Sequence, residues 1–408
     1  MHNGFKIVLF TCISLVSATS FSQSRYNLIY EKSLGINSGA ENIASVHYLW
    51  QNFDNHFIPK KISANSKVAN VSFRLGKLFL LDYPVSFILP SIQHEKFGHG
   101  TRIMEFDGTI KKINITLPPP FQFDLPYISY RYNKETTLQQ DAMITAGGSE
   151  ANAILGDILR KNILLDDELD YHNALLYLYA NNDLPGYAAF AANISGSDIT
   201  SYVDNINAFY PENNLKVKKL RLYGLLSIVL DPLNYYSLNS LFNGYVWQGK
   251  SKSKIHFITL NDKTKYLPKL KFGLTPYGPE LALQNYFKNN QKLYTLSVSF
   301  SDGTFEKSWR IVAETWNIQL KNKFFFNISS QIWNQPKIEF YRNDILENSE
   351  NFGALLVATT NYDILSEDNK IGLTLQMGYK SKGFAFGEAL NRGLILRVGL
   401  SFKLKPTI

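Results

Sequence analysis

Two histidines and a glutamate stand close together in the run "ILPSIQHEKFGHGTRIMEF", residues 88–106. Imidazole nitrogens bind a divalent metal, and a neighbouring carboxylate can take a proton from a water molecule activated there. That pairing serves hydrolysis of an unreactive carbonyl. When two histidines lie four residues apart on a helix, both rings share one face, with the glutamate between them free to act as base. Here His94 and His99 are five apart. Five residues of ideal α-helix turn through about 500°, which would set the rings about 140° apart. Convergence therefore requires one residue to be absorbed within the helix. A π-bulge does this, and such bulges favour functional sites. Gly98 is placed to relax the backbone at that point.

A third ligand must be a carboxylate or another histidine. The only cysteine, Cys12, lies in an apolar N-terminal stretch, so neither a thiolate ligand nor a disulfide is expected in the mature chain. Glu150 follows His94 by 56 residues, on an expected helix opening with Gly147-Gly148. Asp157 is seven residues further on, about two turns along the same face, where it could orient an imidazole. Asp231 sits in the apolar run "LLSIVLDPLN", where it either caps the helix resuming at Pro232 or reaches a buried cation. Asp107 and His172 remain as further candidates. His47, His56 and His256 read as structural or solvated, and the acidic loop "DDELD" lacks the ligand order of a calcium loop.

The run "HEKFGHG" resembles the HExxGH motif of the dipeptidyl peptidase III family of zinc peptidases. The resemblance covers these seven residues, with "GGSEANA" downstream. It implies zinc ligation by His94, His99 and Glu150, with Glu95 activating the water. A looser similarity, in "TAGGSEAN" and "IVLDP", is to membrane zincins of the site-2-protease type, and it implies Asp231 as the third ligand instead. In that comparison the characteristic proline and final glycine are absent, and the histidine spacing differs.

The elements that must position these residues divide near residue 250. Before it, "TLQQDAMITAGGSEANAILGDILRKN", "YHNALLYLYANN", "DITSYVDNINAFY" and a longer stretch interrupted at Pro232 read as helices. Pro84 and Pro90 predict a break, with the histidine helix beginning near Pro90 or Ser91. The segment "GTIKKINITLPPPFQFDLPYISYRY" predicts an extended hairpin. After residue 250, nine segments from "KIHFITL" to "LILRVGLSFKL" alternate apolar and polar residues. Strands of about ten residues with boundary aromatics are the pattern of a transmembrane β-barrel, and Phe 28 and Tyr 24 are high for 408 residues. The run "GYKSKGFAFGEALNRGLILRVGLSF", residues 378–402, resembles the last hairpin of bacterial outer-membrane barrels.

The N-terminus "MHNGFKIVLFTCISLVSATSFSQ" has the plan of a secretory signal peptide over residues 1–22. The expected organisation is α+β: a mainly helical metallohydrolase-like region over 23–250, then antiparallel strands of an outer-membrane β-barrel over 251–408. The net charge of +8 is scattered, with no dense basic run, so it reads as solvated surface and nucleic acid is not an expected partner. The expected function is zinc-dependent hydrolysis of a peptide or protein substrate at the outer membrane. A non-enzymatic barrel with a helical plug and a lipid-modifying hydrolase are the alternatives.

Overall fold

A computed structural model describes residues 24–132, 135–192, 197–212, 214–301, 307–321, 323–342, 345–365 and 370–403. The expected leader, with Cys12, lies outside the described residues. The protein is α+β, built on a ten-stranded antiparallel sheet in the order β1-β16-β15-β14-β11-β10-β9-β8-β7-β6. These strands are β1 (Tyr26–Tyr30), β6 (Ile258–Asn261), β7 (Thr264–Thr275), β8 (Gly278–Asn289), β9 (Lys292–Ser301), β10 (Trp309–Lys321), β11 (Phe324–Asn334), β14 (Phe352–Asp363), β15 (Lys370–Lys380) and β16 (Gly393–Lys403). The period-two segments after residue 250 fall on this sheet. The sheet is not closed into a barrel: β1 and β6 are its two edges and do not pair with each other. The N-terminal β1, absent from the sequence reading, pairs with the last strand, Tyr26 opposite Phe402.

Two strands of the sheet, β15 and β16, are inside-out relative to those of a water-soluble one. Along β15, Ile371, Leu373, Leu375, Met377 and Tyr379 are exposed, while Gly372, Thr374, Gln376 and Lys380 are buried. Along β16, Leu394, Leu396, Val398 and Leu400 are exposed, whereas Arg397 and Ser401 are buried. The inner face borders a half-open cavity of about 200 Å³ in which charged Asp157, Lys161, Lys271, Glu280, Glu314 and Arg397 stand among apolar side chains.

The helices are α1 (Ile36–Phe57), α2 (Lys67–Glu105), α3 (Leu138–Asp166), α4 (Tyr171–Asn181), α5 (Asp183–Gly186), α6 (Asp198–Phe209), α7 (Val217–Val229) and α8 (Pro232–Asn239). Helix α3 starts at a capping box in which Thr137 and Gln140 satisfy each other's backbone N–H groups. Its 29 residues run through the core: Leu155, Leu159 and Ile163 pack with Ile36, Ala40, Tyr171 and Leu176. Contrary to the break expected from Pro84 and Pro90, α2 is continuous over 39 residues. Two π-helical stretches, Leu78–Asp82 and Gln93–His99, each absorb an extra residue on either side of the prolines. The interruption at Pro232 is observed, with α7 ending at Val229 and α8 starting at the proline. The expected hairpin is β2 (Thr109–Asn114) with β3 (Tyr127–Arg131).

Candidate metal centre

The π-helical stretch Gln93–His99 brings the motif histidines together. Gly100 donates its N–H to the carbonyl of Glu95, five residues back, so residues five apart share a face. His94 Nε2 and His99 Nε2 stand 3.1 Å apart. Space for this turn comes from a close crossing with α3. A Cβ on Gly98 would lie 2.5 Å from the Gly147 carbonyl oxygen, and a Cβ on Gly148 would lie 2.3 Å from His94 Nε2. Gly98 thus serves close approach between two backbones, and Gly148 is the floor beneath the His94 ring. Gly148→Ala is expected to displace the imidazole and abolish metal retention while far-UV circular dichroism stays native. Gly98→Ala, meeting backbone instead of a side chain, is expected to reduce the yield of folded protein.

The third donor is Asp198, the first residue of α6. Its Oδ2 lies 3.4 Å from His94 Nε2 and 3.4 Å from His99 Nε2. Three ligand atoms on a tetrahedral zinc with arms of about 2.0–2.1 Å stand about 3.3 Å apart. The triangle His94, His99, Asp198 fits that spacing, and three is the number of protein ligands a catalytic zinc takes.

The far side of each ring is committed. His99 Nδ1 lies 2.7 Å from the Ile144 carbonyl, and His94 Nδ1 lies 3.1 Å from Asp183 Oδ2. Both partners can only accept, so both Nδ1 atoms carry the proton. In the neutral rings, both Nε2 atoms are then bare lone pairs, and they face each other and a carboxylate oxygen. Three acceptors converge on one point without a donor among them. A cation bound there, or protonation of the rings, is what reconciles them. Burial pushes the Asp198 carboxyl up and both imidazoles down, but the mutual charges outweigh it: with the rings protonated, His99 and His94 hold Asp198 well below the usual carboxylate range, and Asp183 and Asp198 raise His94 and His99 above the usual imidazole range. Glu95 is buried beside the cluster, within electrostatic reach of both imidazoles, Asp198 and Asp183.

The other sequence candidates lie elsewhere. Glu150 is not brought to the histidines. Arg102 Nη2 donates to its Oε1 at 2.6 Å and Arg102 Nε to its Oε2 at 3.0 Å. The Gly387 N–H also donates to Oε1, at 2.7 Å. This buried pair ties α2 and α3 to the loop before β16. Asp231 caps α8, accepting from the Leu233 N–H at 3.0 Å, and pairs with buried Arg160 at 2.6 Å. Asp157 faces the cavity and pairs with Lys269 and Lys271, so it does not orient an imidazole. Asp107 sits in a left-handed turn conformation at φ 59°.

His172 belongs to a second group of donors able to hold a metal, with Asp54 and Asp82, all buried. There the Lys77 ammonium already stands 2.7 Å from Asp54 Oδ1 and 2.9 Å from Asp82 Oδ2. It takes the place a cation would occupy. The π-helical stretch Leu78–Asp82 sets Lys77 and Asp82 face to face, as Gln93–His99 does for the histidines.

Asp198 and Asp183 were missed in the sequence. Asp198 opens a helix, where an acidic residue ordinarily complements the helix dipole. Asp183 lies in a turn-like "NNDLPG" run. Neither spacing signals a ligand. Comparison with protein families, with curated proteins and with solved structures finds no match for this chain.

Proposed function

We propose that the protein is a zinc-dependent hydrolase of the outer membrane, a metallopeptidase in class, with His94, His99 and Asp198 as ligands and Glu95 as the general base. The observation that carries this reading is the convergence of two Nε2 atoms and a carboxylate oxygen at zinc-ligand spacing, beside a buried glutamate. Bound zinc supplies a Lewis acid that lowers the pKa of water and polarises a carbonyl. The chain's own residues do the rest. Asp183 and the Ile144 carbonyl hold the two imidazoles in the Nδ1–H tautomer, which keeps Nε2 available. Glu95 accepts the proton of the attacking water and returns it to the leaving amine. The outer-membrane assignment is supported by the exposed apolar and buried polar alternation of β15 and β16.

The cavity beside α3 also favours a second reading, a non-enzymatic membrane sheet with a helical plug. Metal analysis separates the two. Purified protein is expected to carry about one zinc per chain and to cleave peptides from a mixed fluorogenic library. Activity should vanish with a chelator and return with zinc. Absence of metal at full folding favours the plug. Release of fatty acid instead of peptides would reassign the substrate to lipid.

A further inference from the structure

The sheet lacks the strand pairing that would close it, yet its edges are not left bare. On β1, the Ile29 N–H donates to Asn42 Oδ1 at 2.6 Å, and Asn42 Nδ2 donates to the Ile29 carbonyl at 2.9 Å. Ser45 Oγ donates to the Asn27 carbonyl at 2.8 Å. Side chains of α1 thus stand in for a neighbouring strand. At the other end of the sheet β6 pairs only with Thr264–Tyr266, so the rest of β7 is the edge there: Arg160 Nη2 donates to the Pro268 carbonyl at 3.2 Å, and Pro268 has no N–H to leave unpaired. Tyr202 Oη donates to the Thr275 carbonyl at 2.7 Å. A sheet edge in hydrocarbon is tolerated only where its backbone groups are satisfied in this way.

The helices that fill the gap carry the same inverted polarity as β15 and β16. In α2, the exposed residues between Leu75 and Ile92 are Leu75, Phe79 and Leu80, while Lys77, Asp82, Ser86 and Ser91 are buried. Between Leu222 and Leu238, every exposed residue is apolar or tyrosine: Leu222, Leu225, Leu226, Val229, Leu230, Tyr235 and Leu238. A helix facing water shows the opposite arrangement. The apolar exposure thus runs over both α7 and α8, across the interruption at Pro232. Exposed Lys216 and Lys218 precede the stretch, and exposed Asn239, Asn243 and Lys250 follow it. Both sheet edges meet helices: α1 packs on β1, and α7 and α8 pack on β7.

We infer that α1, α2, α7 and α8 are staves of the membrane wall, which carry the lipid-facing band across the gap between β1 and β6. Their partner is the acyl-chain region of a bilayer. This rests on the membrane part of the proposed function and is independent of its chemistry. It also places the metal centre on a lipid-facing helix, since His94 and His99 belong to α2.

Single cysteines at Leu80, Leu225 and Leu238, in a Cys12→Ser background, can be spin-labelled and reconstituted into phosphatidylcholine vesicles. Leu356 and Leu375 serve as sheet-face controls and Lys218 as the aqueous control. The helix labels are expected to collide with oxygen in preference to a water-soluble nickel chelate, matching Leu356 and Leu375. If they collide with the chelate as Lys218 does while the sheet labels do not, the helices stand in water and the inference fails. Protection from both reagents would mean that a protein surface covers them, which also overturns it. If the sheet controls themselves report water, the membrane assignment falls first, whereas zinc content and hydrolysis are read separately.

Discussion

Glu95→Gln is expected to keep its zinc and lose hydrolysis by 10²–10⁴-fold, the usual contribution of a positioned base. Glutamine is nearly isosteric, and the buried site keeps its shape. In the proposed site the metal triangle is His94, His99 and Asp198, and the two rings are held by Asp183 and the Ile144 carbonyl, not by Glu95. What disappears is the carboxylate beside the triangle that is neither a ligand nor committed to a ring, and so is free to take the water proton. The measurement is kcat on a cleaved library peptide, with zinc per chain determined on the same sample. A variant that retains full activity with full metal would remove Glu95 from the mechanism.

Asp198→Asn is expected to lose metal, whereas Glu150→Gln and Asp231→Asn are expected to retain it. Zinc binds four-ligand protein sites with apparent energies of roughly 10–16 kcal/mol, or about 3 kcal/mol per ligand. Weakening one of three protein ligands should then raise the dissociation constant about a hundredfold. An asparagine oxygen at position 198 keeps the shape but not the charge that two imidazoles hold in place. Glu150→Gln acts differently. It leaves buried Arg102 with only the Glu105 carboxylate, at 2.7 Å, so the expected loss is in stability, below the roughly 3–5 kcal/mol of a buried charge left wholly unpaired. Thermal melts and competitive zinc titration separate the two effects. If Glu150→Gln loses zinc while its melting temperature is unchanged, the ligand assignment belongs to Glu150.

Much of the sheet was legible because period-two alternation is a local property. Each of the strands β7 to β11 and β14 to β16 carries its own apolar and polar faces within about ten residues. The hairpin of β2 and β3 and the helix α3 were legible because their patterns are local too. β1 escaped because five residues, "YNLIY", are too few to display a period. The two prolines of α2 read as a break because a proline removes a donor and crowds the preceding turn. The π-helical stretches flanking them show the backbone adjusting without ending the helix. Arg102, three residues after His99, was the overlooked signal for Glu150: a buried guanidinium requires a carboxylate, and it takes both oxygens of the nearest one.

Sequence alone determined that His94 and His99 could meet, since five-residue spacing on a helix converges once a π turn absorbs one residue, and that Glu95 would lie beside them. It also determined which strand faces are apolar. The third donor, the openness of the sheet and the direction in which those faces look were decided only by tertiary structure. Asp198 lies 99 residues beyond His99 and reaches it because α6 packs on α3. Edge pairing, likewise, depends on which segment arrives at β1 and β7. Alternation says that one face differs from the other, but which face is enclosed depends on what fills the sheet's concave side. There α3 brings charged Asp157 and Lys161, and the apolar residues are left on the outside.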